Sequence, residues 1–144
     1  NTYAGATGKG LGVMPAAQTQ YWSVGSAEAI PSSRIVDALA DMQVPLDKDG
    51  YYTIVYSRAE DRPKNATIEN GVAWIEWSPL GEGIDSPKNR PDFGMLIMRY
   101  IANDPNWAQS PNNITKPGEE ESVMGPYFPK GEYMTKAAFE AGGK

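Results

Sequence analysis

Apolar and polar positions alternate along this chain in short bursts, and the bursts predict strands more often than helices. Tyr21-Trp22-Ser23-Val24-Gly25 is aromatic and β-branched and is closed by glycine, which predicts a short strand. Ile35, Val36, Leu39 and Met42 then fall at helical spacing behind Ser32 and Ser33, either of which can cap a helix. That spacing favours a helix of two or three turns, limited by Asp37, Asp41 and Pro45, over the rival strand from Ile35 to Val44. The clearest local signal is Asp47-Lys48-Asp49-Gly50 between Val44-Pro45-Leu46 and Tyr51-Tyr52-Thr53-Ile54-Val55-Tyr56-Ser57. Asp-Gly between apolar flanks predicts a hairpin turn, because Gly tolerates positive φ and Asp bonds its own backbone. Residues 51–57 are the strand that follows, with Tyr52, Ile54 and Tyr56 on one face and Tyr51, Thr53 and Val55 on the other.

After a polar stretch ending in the turn pair Asn70-Gly71, Val72-Ala73-Trp74-Ile75-Glu76-Trp77 alternates again. Val72, Trp74 and Glu76 share one face, and Ala73, Ile75 and Trp77 the other. Residues 78–92 read as a loop rich in Gly, Pro and charge. Residues 93–101 (FGMLIMRYI) are the most apolar run, of strand length, and predict a central strand covered on both sides. From Ala102 to Lys130 nothing is periodic, and five prolines punctuate the segment, which predicts a long surface loop or a stretch packed on another chain. Residues 135–142 predict a two-turn helix with Thr135 as N-cap and Gly142 as C-cap.

The fold class expected is mainly β: an antiparallel β-sandwich, jelly-roll-like, with long loops and a short C-terminal helix. Residues 1–20 form an irregular arm with one apolar patch at Leu11, Val13 and Met14, residues 21–101 a β-rich core, and residues 102–144 a loop and helix completing the same domain. The length, 144 residues, suits one domain. Leu, Ile, Val and Phe account for only 24 of those residues, so the core leans on Trp, Tyr and Met. The chain opens on Asn1 and not Met, which fits removal of a leader or a start within a longer product.

The missing residue types narrow the chemistry. Without His there is no Ser-His-Asp triad and no imidazole base or metal ligand in this chain. Without Cys there is no disulfide, thiolate nucleophile, Cys-ligated zinc or Cys-attached haem. No cofactor is expected. The net charge of −5 and the lack of a basic cluster argue against nucleic acid, and no apolar run reaches transmembrane length. The sequons Asn65-Ala66-Thr67 and Asn113-Ile114-Thr115 are compatible with an extracytoplasmic, secreted or periplasmic, protein.

Among candidate functional residues, Asp47 and Asp49 begin like a calcium loop, but the position for the bidentate acid is Arg58, so the turn reading prevails. Glu60, Asp61, Glu69, Glu76, Asp85 and Asp92 could supply an acid/base pair. Glu76 is the best single acid, because indole neighbours Trp74 and Trp77 could desolvate it and stack on sugar rings. The bland reading, that the tryptophans fill the core and Glu76 faces solvent or pairs with Arg99, is preferred. Arg58, Arg62 and Arg90 lie close to acidic residues and Pro; the segment 57–63 reads as local ion pairs on a loop, with anion binding by Arg58 and Arg62 as the alternative. Gly8-Lys9-Gly10-Leu11-Gly12 lacks the spacing of a phosphate loop. Tyr100, Trp107, Tyr127, Phe128 and Tyr133 stand in polar loops, where aromatics either anchor a partner or staple the loops to the sheet; both readings stay open.

A block order supports the β reading. Tyr-Trp-Ser (21–23), Leu-Ala-Asp (39–41), Val-Pro-Leu-Asp-x-Asp-Gly-Tyr-Tyr-Thr-Ile-Val (44–55), Asp-Arg-Pro (61–63), Asn-Ala-Thr (65–67), Asn-Gly-Val-x-Trp (70–74) and Met-Arg (98–99) follow one another. Over residues 20–100 the chain resembles a group of uncharacterised, mostly secreted bacterial proteins whose C-terminal part is similar to a domain-of-unknown-function family with a jelly-roll-like β-sandwich. The resemblance implies a strand-like path over 33–43 and supplies no catalytic residues. Together these readings predict a non-enzymatic extracytoplasmic structural or binding module, a subunit of a larger assembly, touching protein partners or further copies through its loops and ends. Trp74, Trp77, Trp107, Tyr127, Phe128 and Tyr133 are the expected contact residues. The alternative is a carbohydrate-binding or carboxylate-dependent carbohydrate-active protein built on Trp74, Glu76 and Trp77.

Overall fold

The computed structural model describes residues 17–28, 32–78 and 94–142. It is mainly β, with few and short helices. Five strands form in chain order: β1 (Thr19–Ala27), β2 (Ile35–Ala40), β3 (Thr53–Ser57), β4 (Val72–Glu76) and β5 (Met95–Asn103). Two short helices follow, α1 (Glu120–Met124) and α2 (Lys136–Glu140). The strands make two sheets, one in the order β2-β1-β5 and one of β3 with β4. The arm patch at Leu11, Val13 and Met14, Gly8 to Gly12, and Asp85, Arg90, Asp92 and Phe93 lie outside the described residues.

β1 and β2 pair antiparallel, with Val24 opposite Leu39, Gly25 opposite Ala38 and Ser26 opposite Asp37. This overturns the helix expected over 33–43 in favour of the strand path. Helical spacing is only a local preference, and pairing with β1 overrides it by satisfying the backbone of both strands. The approach is close: a Cβ on Gly25 would stand 2.8 Å from the Asp37 carbonyl oxygen. The helical tendency survives only as a single 3-10 turn at Asp41–Gln43.

The Asp47–Gly50 turn forms as expected. The Asp47 N–H donates to the Tyr51 carbonyl at 2.8 Å, the Asp47 carboxylate accepts from the Asp49 and Tyr51 N–H groups, and Gly50 takes φ 85°. It joins no hairpin, because residues 44–46 form no strand. β3 pairs instead with β4, in parallel, Val55 opposite Trp74. A parallel pair needs a crossover of about a dozen residues or more, and residues 58–71 supply it with 3-10 turns at Ala59–Asp61 and Ile68–Asn70. Asn70-Gly71 does turn the chain, with Gly71 at φ 72°, but it closes a 3-10 turn and not a hairpin. The turn residues act as expected, and the β3–β4 pair is parallel where the β1–β2 pair is antiparallel.

β5 also departs from expectation. It borders its sheet, and Leu96 and Ile101 are more than half exposed, so it is not a central strand covered on both sides. Continuous apolarity cannot by itself separate a covered strand from an exposed apolar border. Residues 102–130 are not structureless: a 3-10 turn at Pro111–Asn113, α1 and a 3-10 turn at Gly125–Tyr127 follow one another. Ser110 caps the first by accepting from the Asn112 N–H, so prolines that rule out long helices still allow single turns. α2 keeps its expected N-cap, with the Thr135 hydroxyl accepting from the Ala138 N–H at 3.1 Å, but it is five residues long and its C-cap is Ala141, with Gly142 at φ 115° one residue further on.

The chain packs as two compact units, one containing residues 1–22 and 99–133, the other residues 23–98 and 134–144. In the first, Trp22, Trp107 and Met124 are buried. In the second, Val24, Val44, Ala73 and Ile75 are buried, and Phe139 of α2 packs with Ala66 and Val72 against Val55 and Trp74. Among the described residues no helix is long and apolar enough to cross a membrane.

Candidate functional site

β4 carries Trp74 and Glu76, Trp77 follows its last residue, and their surroundings decide what they can do. Alternation places Trp74 and Glu76 on one face of β4. The Trp74 indole N–H donates to the Ser57 hydroxyl at 2.9 Å. The Arg62 guanidinium lies 4.5 Å over the Trp74 ring and donates to the Ala66 carbonyl at 2.9 Å. Trp74 also backs the cluster of Ala66, Val72 and Phe139. An indole held by a hydrogen bond, a cation and apolar neighbours is built into the fold. Trp77 lies where a Cβ on Gly94 would meet its ring at 2.8 Å.

The backbone of Glu76 is anchored on both sides. Its N–H donates to the Asp37 carboxylate at 3.0 Å, and its carbonyl accepts from the buried Ser26 hydroxyl. These side chains from β2 and β1 satisfy Glu76 on the edge of β4 away from β3. The Glu76 carboxyl itself is half-buried.

The remaining acids are dispersed. Glu60 and Asp61 are exposed on one 3-10 turn, and Glu69 is exposed on another. The Glu69 carboxyl is held below its ordinary range by its own backbone N–H and then by the Thr67 hydroxyl. Asp47 is likewise held low, chiefly by the Tyr51 N–H, and Asp49 pairs with Lys48 at 2.6 Å. Among the described residues no group of three or more acids is placed to hold a metal ion. On the face of β3 opposite Val55, burial pushes the phenols of Tyr52 and Tyr56 upward, Tyr56 further because Tyr52 stands beside it. The Tyr52 hydroxyl lies 3.7 Å from the Met98 sulfur.

Within the first unit, Trp107 is buried and meets Tyr127 edge-on at 5.1 Å between ring centroids. The Tyr127 hydroxyl accepts from the Gln18 amide at 2.9 Å, and Phe128 and Tyr100 are half-buried. Tyr133 alone of these aromatics is fully exposed. The sequon asparagines are held by backbone: the Asn65 amide donates to the Phe139 carbonyl, and the Asn113 amide to the carbonyls of Trp107 and Ala108.

Sequence reasoning missed one arrangement. Glu28, at the end of β1, has a side chain only 1% exposed, yet it is charged. The Arg34 guanidinium and the Ser32 hydroxyl both close on its carboxylate, and its N–H donates to the Arg34 carbonyl at 2.9 Å. An acid and an arginine six residues apart across a serine pair leave no periodic trace that would have marked them. Arg34 first, and then Ser32, lower the Glu28 pKa below 4.5. A carboxyl depressed in the folded state stabilises the fold above its unfolded pKa, and that contribution is lost as the pH falls through the folded value. Stability is therefore expected to fall as the pH drops below about 4.5. The urea midpoint followed from neutral pH to about pH 3 checks this, and Glu28→Gln should have a flatter acid limb than the parent chain.

No family model, curated protein or solved structure matches this chain.

Proposed function

We propose that the chain is a non-enzymatic extracytoplasmic module of a larger assembly that binds a protein partner by adding a strand to β5. The observation that carries this reading is the border position of β5, nine residues long and free of proline, with Leu96 and Ile101 more than half exposed. A border strand that presents exposed apolar side chains can take up an incoming strand. The candidate tryptophans support a structural role, since Trp74 and Trp107 hold the interior together. Extracytoplasmic placement and a sandwich-like architecture belong to the proposal and rest on the resemblance over residues 20–100.

In the test, the assembly is isolated from its native source with the parent chain and with Leu96→Lys/Ile101→Lys. Amide exchange over residues 96–101 should be slower in the assembly than in the isolated chain. The double variant should keep the parent's thermal midpoint and leave the assembly. A double variant that still assembles, or exchange unchanged between the two states, overturns the reading.

A further inference from the structure

α2 is too short to be a helix on its own account. Isolated helices below about 12 residues are marginal in water, and α2 has five. Docking makes it. Phe139 enters the cluster of Ala66 and Val72, the Lys64 N–H donates to the Glu140 carboxylate at 2.9 Å, and the Asn65 amide donates to the Phe139 carbonyl at 3.2 Å. The Lys136 ammonium reaches the Glu60 carbonyl at 3.2 Å. The three hydrogen-bond partners lie more than seventy positions earlier in the chain.

The strap leading to α2 has the opposite character. Residues 129–135 are all exposed, form no helix or strand, and include Gly131 and the fully exposed Tyr133. None of the backbone N–H groups of residues 130–134 donates to another described residue. Fully extended, the seven residues span about 24 Å. Apart from an exposed Lys130–Glu121 pair at 3.6 Å, no hydrogen bond or ion pair among the described residues ties residues 130–134 down. A self-contained contact at the end of such a strap is what exchange of an element between copies requires, since the contact is the same in cis and in trans.

We propose that α2 exchanges between two copies of this chain, the helix of each docking on the crossover and β4 of the other. This contact is distinct from β5 and does not depend on the function proposed above. A short strap holds α2 at an effective concentration on the order of mM, so the closed monomer prevails in dilute solution and exchange grows with concentration. Shortening the strap weakens the closed form and leaves the exchanged contact available.

Two measurements test it. The parent chain has no cysteine, so Lys64→Cys and Glu140→Cys can be introduced in separate chains, mixed, unfolded and refolded together at high concentration, then oxidised. A disulfide-linked heterodimer is expected, with a yield that rises with concentration. Independently, deletion of Gly131, Glu132 and Tyr133 should shift sedimentation from monomer to dimer, and Phe139→Ala in that background should abolish the dimer. The proposal is overturned if the mixed single variants give no linked product while the double variant closes within one chain. It is equally overturned if the dimer of the shortened chain survives Phe139→Ala. Should the shortened chain not fold, the cysteine experiment decides alone.

Discussion

Gly25→Ala is expected to destabilise the second unit by roughly 2–3 kcal/mol, although the same change in an ordinary strand would be favourable. Glycine in a strand loses more conformational freedom on folding than alanine, about 0.5–1 kcal/mol, so propensity alone predicts a gain. Packing reverses the sign. The new Cβ would lie 2.8 Å from the Asp37 carbonyl oxygen and 3.2 Å from the Ala38 Cβ, both on the paired strand. The first is backbone and cannot rotate away, so β1 and β2 must separate or shift register. Asp37 also holds the Glu76 N–H, and the disturbance therefore reaches β4. Urea unfolding of parent and variant measures the loss; a variant as stable as the parent would mean that the β1–β2 register is not the one described.

The second large effect is expected at Ile75. It is fully buried in β4 and the largest such apolar side chain among the described residues. Ile75→Ala removes three heavy atoms from a fully buried site, and the surroundings of such a site relax only in part. The cost is about 2–5 kcal/mol, the upper end applying if the cavity stays open. Ile75→Val should cost only about 0.5–1.5 kcal/mol. The ratio of the two losses, read from urea midpoints, separates packing from a general intolerance of change in β4. Equal losses would contradict the burial described here.

Some of this architecture was legible in the sequence because its causes are local. The Asp47 carboxylate bonding the next N–H groups, the glycines at positive φ after Asp49 and Asn70, the Thr135 cap, and the alternation through β3 and β4 all lie within a few residues of the signal that marks them. What stayed hidden depends on distant partners. β2 is a strand because β1 lies beside it, and β4 runs parallel to β3 because the crossover is long enough to return the chain. β5 borders its sheet although its composition is that of a covered strand. In the candidate site, sequence alone made Trp74 and Arg62 separate features, an indole beside an acid and a cation in a polar loop. The fold stacks one on the other. Glu28 drew no notice because a buried acid is recognisable only once its arginine is seen to close over it.

The order of the strands also has a kinetic consequence. Pairing β1 with β2 closes only residues 28–34, and pairing β3 with β4 closes residues 58–71, whereas joining β5 to β1 must close residues 28–94. Relative to the β3–β4 loop, that last closure costs about 1.4 kcal/mol more in chain entropy. The two local pairs therefore nucleate first, and the most apolar stretch of the chain waits longest for its place. During that wait it is exposed to other nascent chains, so yield on refolding should depend on protein concentration more steeply than the native state's solubility would suggest.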